Sequence, residues 1–445
     1  MELDNTMLAR ILTSLTLGFH IIFAALGVGI PVAISIAEWI GIRKKNPLYL
    51  VMAKRWLRGF TVTVAVGVVT GTCIGLQLSL LWPSFMKIAG EAISLPLFLE
   101  TFAFFFEAIF LGIYLYTWDR FKNPYVHWLF SIPVIIGSTA SAFFIMTVNA
   151  FMNAPQGFTL ADGKIVDIQP LVAMFNPATP SKAGHMILSA YAASAFALAA
   201  IAAYSLLKRG RDHEYYRKSL HFTVVLALIF SVGTAVWGDI AGKYLAKHQP
   251  EKLAAAEWHF ETKPNAELIF GGMLDKETNE VKYAIKLPYA LSILATGNPT
   301  GEVKGLNEIP EELRPPLFIH YLFDGMVAIG GYLVIVPLLY IFLRWRKKPS
   351  AVSRPMLWAI LLGAPLSFLA IELGWIFSEI GRQPWILYGY MKTQHAATTA
   401  DNVGEMLVLF GCLYLFLGIV CTLVLRRMFK KNPVEHDLAR AQERN

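Results

Sequence analysis

Glu372-Leu-Gly-Trp-Ile-Phe-Ser-Glu-Ile-Gly-Arg-Gln-Pro-Trp385 closes an apolar run that begins near residue 356. A helix of about 20 apolar residues crosses a bilayer, and this run is long enough. Glu372 and Glu379 lie seven residues apart, so one helical face carries both, with Trp375 one turn before Glu379. A charged side chain at the centre of a membrane helix costs about 2.5–3.5 kcal/mol on insertion scales. Two carboxylates in one span therefore need a partner, a proton or a metal.

The rest of the chain has the same character. Its 445 residues are 56% hydrophobic, 13% aromatic and only 16% charged, with a mean hydropathy of +0.50. Soluble domains carry about 25% charged residues and do not sustain repeated apolar runs of this length. The net charge of +8 is not the footprint of a nucleic-acid partner, because the basic residues sit in short loops between apolar runs. Cys73, Cys412 and Cys421 all fall inside apolar runs. Cys412 and Cys421 are about 13 Å apart along one helix at 1.5 Å per residue, too far to pair. No basic leader with a small-residue cleavage site opens the chain, so the first helix is expected to remain as structure.

Apolar runs occur at 11–42, 59–82, 95–118, 127–151, 185–207, 219–241, 317–343, 356–380 and 404–425. The expected fold is an all-α integral membrane protein of nine transmembrane helices. Arg43, Lys44, Lys45, Lys54, Arg55 and Arg58 follow the first run; Lys208, Arg209, Arg211, Arg217 and Lys218 follow the fifth. Arg344, Arg346, Lys347, Lys348 and Arg354 follow the seventh, and Arg426, Arg427, Lys430 and Lys431 follow the ninth. The positive-inside rule then places the N-terminus outside and the C-terminus in the cytoplasm, which requires an odd number of spans.

Residues 242–316 form one long extracytoplasmic loop of mixed charge. Loops of this length are functional or disordered. Residues 249–258 read as a short amphipathic helix and the remainder as irregular or hairpin-like. The chain thus divides into residues 1–241 (spans one to six), 242–316 (the loop) and 317–445 (spans seven to nine and the tail). No paired broken helices mark an internal transporter repeat.

His20, His185, Met326 and Glu379 all fall in the outer half of the membrane, on the side of the long loop. Each has a bland reading. A lone intramembrane His is more often hydrogen-bonded core than ligand, and Met is usually packing. Glu379 is the stronger candidate, because an intramembrane carboxylate is a functional candidate by default. His127, His221 and His320 lie at helix ends where water can solvate them, and carry no assignment. Glu100 and Glu107, seven residues apart amid phenylalanines, suit either a proton path or a pair of protonated carboxyls bonded to neighbouring helices. Ser141 and Asn149 would extend a polar track. His, Met and carboxylate in apolar surroundings suit haem iron better than zinc or magnesium. Without Cys-x-x-Cys-His, any haem would be bound non-covalently.

These residues resemble the large subunit, subunit I, of cytochrome bd quinol oxidases over essentially the whole chain. The likeness rests on Arg10 with His20, Trp82-Pro83, the glutamates of the third run and Gly238-Asp239. It rests further on Gln249-Pro250…Lys252…Glu257-Trp258 and on Gly374-Trp375…Glu379…Gly381-Arg382-Gln383-Pro384-Trp385. The resemblance implies that His185 and Met326 are axial ligands of a low-spin haem b. It implies that His20 and Glu379 ligate two high-spin haems, one b and one d, with a further haem b as an alternative to haem d. Lys252 and Glu257 would belong to the quinol-binding loop, and Trp375 would lie between haems. Glu100 and Glu107 would serve proton delivery, and Arg382 and Arg10 would pair with propionates or carboxylates.

Implied with these are a smaller membrane subunit II, room for an additional single-helix subunit, quinol and dioxygen as substrates, and a bacterial plasma-membrane location. Protonmotive force would arise by charge separation without a pump. The loop length resembles the short-loop class. The family's long-loop members carry Phe-Arg-x-Met where this chain has Phe323-Asp324-Gly325-Met326, so an acid replaces a base beside the axial Met. Rival readings are a proton-coupled transporter and a haem-bearing quinone reductase with another acceptor.

Overall fold

The computed structural model describes residues 4–161, 164–210, 213–275 and 277–443. Arg211, counted in a basic loop above, lies outside them, as does the side chain of Arg209. Nine helices among the described residues are long and apolar enough to cross a membrane. They are α1 (Asn5–Arg43), α2 (Pro47–Leu81), α3 (Pro83–Tyr116), α4 (Pro124–Asn153), α5 (Thr179–Lys208), α6 (Glu214–His248), α7 (Ile319–Trp345), α8 (Arg354–Ile380) and α9 (Val403–Lys431). The apolar runs mark their centres. The ends extend further because polar residues continue the helix into the interface: α6 runs past residue 241 to His248.

Local chemistry sets the starts. The Asp4 and Asn46 carboxyl and amide oxygens accept from Met7 N and Leu48 N, capping α1 and α2. Pro47, Pro83 and Pro124 occupy first-turn positions, where no amide hydrogen is needed. Interior prolines Pro31, Pro96 and Pro337 are buried within the bundle, whereas Pro365 in α8 is exposed.

The bundle is built around α5, whose apolar window is 61% buried against 17% for α9. It packs on α1, α4, α6 and α8. Small residues such as Ala190, Ala193, Ala199 and Ala203 line it, and let helix backbones approach closely. At the α1 crossing a Cβ on Gly29 would fall 2.4 Å from Ser194 Oγ, so only glycine fits. By contrast α3 and α9 turn exposed faces outward, among them Phe98, Phe102 and Phe105 on α3 and Val408, Leu415 and Phe416 on α9. Hydrocarbon or another apolar helix satisfies such faces; water does not.

The α6–α7 connection contains the anticipated short helix, at Pro250–Ala256. Two antiparallel pairings follow, Leu268–Phe270 with Ile285–Leu287 and Met273–Leu274 with Val281–Lys282. A short helix, Ala290–Thr296, then leads back toward α7. At the other end of the bundle the helix Val434–Gln442 is tied to α2, where Arg55 Nη1 donates to Asp437 Oδ2 at 2.5 Å. Arg58 adds a second contact at 3.2 Å.

Two helix-end histidines are not solvated, contrary to the sequence reading. His127 and His320 are 3% and 0% exposed. His127 Nδ1 lies 2.6 Å from Glu38 Oε1, whose carboxylate also accepts the Tyr114 hydroxyl. His320 Nε2 lies 3.2 Å from Asp324 Oδ2. Burial comes from segments distant in sequence folding over each helix end, which one helix's pattern does not reveal.

Candidate haem-binding site

The C-terminal turn of α8 aims Glu379 at α4 and at its own end. Asn149 Nδ2 donates to Glu379 Oε1 at 2.8 Å, and Arg382 Nη2 donates to Oε2 at 2.5 Å. Lys182, in the first turn of α5, donates to Asn149 Oδ1 at 3.1 Å and to Ser378 Oγ at 2.8 Å. Lys252, from the short loop helix, donates to the Ser378 carbonyl at 2.8 Å. Lys182, Lys252 and Arg382 thus converge on the Ser378–Glu379 turn. Lys252 and Arg382 are 2% and 3% exposed, and Arg382 Nε and Nη1 have no partner among the described residues. Burial, with Lys182 and Arg382 nearby, pushes the Lys252 ammonium well below its ordinary value. Buried guanidinium donors left open in this way are a receptacle for anionic groups.

His20 and His185 are each held by one ring nitrogen. His20 Nδ1 lies 2.8 Å from Thr70 Oγ1 on α2, and His185 Nδ1 lies 3.1 Å from the Thr234 carbonyl on α6. Neither Nε2 has a hydrogen-bond partner among the described residues. A ring fixed through Nδ1 with Nε2 free is the disposition of a metal-binding imidazole. Gly238 stands beside His185, and a Cβ there would sit 3.5 Å from the ring. Met326 on α7 faces Gly374 on α8, where a Cβ would fall 2.9 Å from Sδ; glycine leaves the sulfur its space.

Helix α4 joins the remaining carboxylates. Ser141 Oγ donates to Glu100 Oε1 at 2.9 Å, and Asn149, on the same side two turns on, holds Glu379. Glu107 is buried and its Oε1 is unpartnered. Glu372 does not join Glu379: its Oε2 lies 3.4 Å from the Cβ position of Gly18 on α1. Arg10 is half-buried and makes no hydrogen bond or ion pair among the described residues. Trp375 is half-buried on α8. No three His, Cys, Asp or Glu side chains converge on one point among the described residues. The candidate ligands therefore do not form a protein-only metal cluster.

The model of the cytochrome bd terminal oxidase subunit I family matches residues 8–433. The chain belongs to that family. It is 59% identical to a solved bd oxidase chain from Geobacillus thermodenitrificans, with a TM-score of 0.93, covering 97% of this chain and 99% of that one. It is 42% identical over 99% of its length, and the whole of the relative's, to a Bacillus subtilis protein provisionally named a cytochrome bd menaquinol oxidase subunit I. A second Bacillus subtilis relative, named cytochrome bd ubiquinol oxidase subunit 1, is 33% identical over 98% of this chain and 95% of its own. Membership sets aside the transporter reading. It also makes this a multi-pass protein of the bacterial plasma membrane.

The family implies haem, and the residues fit it. Two imidazoles offer free nitrogens, a thioether has room against glycine, and the buried Arg382 has two donor nitrogens open to acidic groups. The Glu379 carboxylate retains lone pairs beyond the two donors it accepts. Lys182 escaped the sequence reading because it lies just before the apolar run. Its place one turn from His185 was the available signal.

Proposed function

We propose that this chain is the haem-bearing subunit of a terminal oxidase that oxidises quinol at the outer membrane face and reduces dioxygen to water. The open buried donors of Arg382 beside Glu379, with imidazoles free at Nε2, carry the reading. His185 and Met326 would hold a low-spin haem b. His20 and Glu379 would hold two high-spin haems, one b and one d, or a second b in its place. Arg382, Lys182 and Arg10 would bind propionates. Haem, when bound, supplies one-electron transfer and an iron that binds oxygen.

The chain's own residues set proton positions and exclude water. Glu107, Glu100, Ser141 and Asn149 form a polar line along α3 and α4 toward Glu379, through which protons from the cytoplasm would be held and passed. This orientation has the N-terminus outside and the C-terminus inside. Residues 1–241 would carry high-spin haem and proton-path residues, 242–316 the quinol site, and 317–445 the remaining ligands. Quinol protons released outside and consumed protons drawn from inside separate charge without a pump. A smaller subunit II, and a further single-helix subunit, would cover apolar faces. The relatives are named for different quinols, so the substrate class is quinol.

Glu257 is the proposed proton acceptor in the loop, with Lys252 fixing the loop's near end. Burial pushes the Glu257 carboxyl from 4.5 up to about 8. Below that pH it is protonated and cannot accept; kcat/KM for quinol is therefore expected to rise with pH through about 8. Because the folded value is the raised one, the carboxyl's contribution to loop stability is lost as pH rises through the same range. Glu257→Gln should flatten the rise and cut kcat/KM by about 10²-fold or more, within the span of general base catalysis. An unchanged pH profile in that variant would remove Glu257 from the role. Oxygen uptake by the purified oxidase with added quinol tests the function as a whole.

A further inference from the structure

His320 was left without a role by the sequence, yet it grips the loop on both sides of Glu257. Its Nδ1 lies 2.6 Å from the Ala256 carbonyl, and its Nε2 lies 3.1 Å from the Gly271 carbonyl. The Trp258 ring stacks on the imidazole at 3.8 Å between centroids, with 21° between planes. Residues 256 and 258 flank Glu257, so one fully buried side chain fixes both of its neighbours. Trp258 has φ +45°, a conformation unfavourable for any residue but glycine. The stack, and a 2.8 Å bond from Trp258 Nε1 to the Leu317 carbonyl, hold it there.

Both ring nitrogens face carbonyl oxygens, which only accept. A neutral imidazole donates through one nitrogen alone, so one lone pair would be set against an oxygen. In either tautomer the ring stays wedged between the two loop carbonyls. Asp324, one turn further along α7, places Oδ2 3.2 Å from His320 Nε2. The same oxygen accepts Gly271 N at 2.5 Å. Asp324 thereby ties the hairpin arm to α7. Glu257 in turn accepts Ile269 N through Oε2 at 3.3 Å, leaving Oε1 without a partner. That free oxygen is what a substrate hydroxyl would meet.

We propose that His320, together with Asp324, is the positioning residue that fastens the loop to α7 and aims Glu257 Oε1. This rests on the loop being the quinol site, and the test separates the two. In the haem-loaded oxidase with its partner subunit, His320→Gln should speed amide hydrogen exchange across residues 256–274 about tenfold, the scale of one lost hydrogen bond. Quinol KM should rise by about the same factor, with kcat within about twofold. The reduced haem spectrum should not move, which shows that the variant assembles.

Asp324→Asn should loosen the same segment, and the double variant should be no worse than either single one, because the pair acts as a unit. If His320→Gln does not assemble, the Asp324→Asn exchange rate alone carries the test. Wild-type exchange in both variants, or a double variant whose effect is the product of the singles, would overturn the proposal. Faster exchange with an unchanged quinol KM would uphold the fastening and take the quinol role away from the loop.

Discussion

Replacing His185 by Ala is expected to abolish the low-spin haem signal and leave the high-spin absorbance in place. The ring has its Nδ1 committed to the Thr234 carbonyl and its Nε2 without a partner among the described residues. Gly238 keeps the backbone of α6 clear of it. Quinol-driven oxygen uptake should fall about 100-fold or more, since a position-fixed ligand has no neighbour to replace it. A Met326→Leu change should leave a haem bound through His185 alone, with an altered spectrum and potential, because Leu fills the space against Gly374 but offers no sulfur. A normal low-spin spectrum in His185→Ala would refute the assignment.

The second large effect is expected at the cation cluster. Glu379→Ala removes the carboxylate that pairs with Arg382 and acts on both Lys182 and Lys252. Breaking a buried ion pair by deleting one partner costs about 3–5 kcal/mol, so high-spin haem content and oxidase activity should both collapse. Lys182→Met tests the same cluster from the other sign. It removes a buried ammonium that bridges Asn149 and Ser378, and should weaken haem retention while leaving the His185 spectrum intact. Haem-to-protein ratios after purification check both variants. Full haem content in Glu379→Ala would show that the carboxylate is not a ligand.

The membrane architecture is legible because it depends on local quantities. Apolar length gives the spans, and Asp, Asn and Pro mark the helix starts at Asp4, Asn46, Pro83 and Pro124. Candidate ligands are legible too, since polar groups inside apolar runs stand out. Connections between helices are not. Nothing in the α3 or α4 runs alone shows that Ser141 reaches Glu100 while Asn149 reaches Glu379. Lys182 sits at the margin of its run, where a lysine usually snorkels to the interface. The Asp324 side chain looked anomalous beside Met326 because its partner, His320, had been set aside as a solvated end. The i, i+4 spacing of His320 and Asp324 was in the sequence, but burial under the folded loop gives the pair its meaning. The family resemblance supplied the haem roles that the spacing could not.

The central claim is that this chain holds haem and moves electrons from quinol to oxygen. The most direct measurement is an absorbance spectrum of the purified oxidase, first with quinol added under argon and then with oxygen admitted. The account predicts low-spin and high-spin haem bands that quinol reduces and oxygen restores. A colourless preparation, or haem that quinol leaves oxidised, would contradict it.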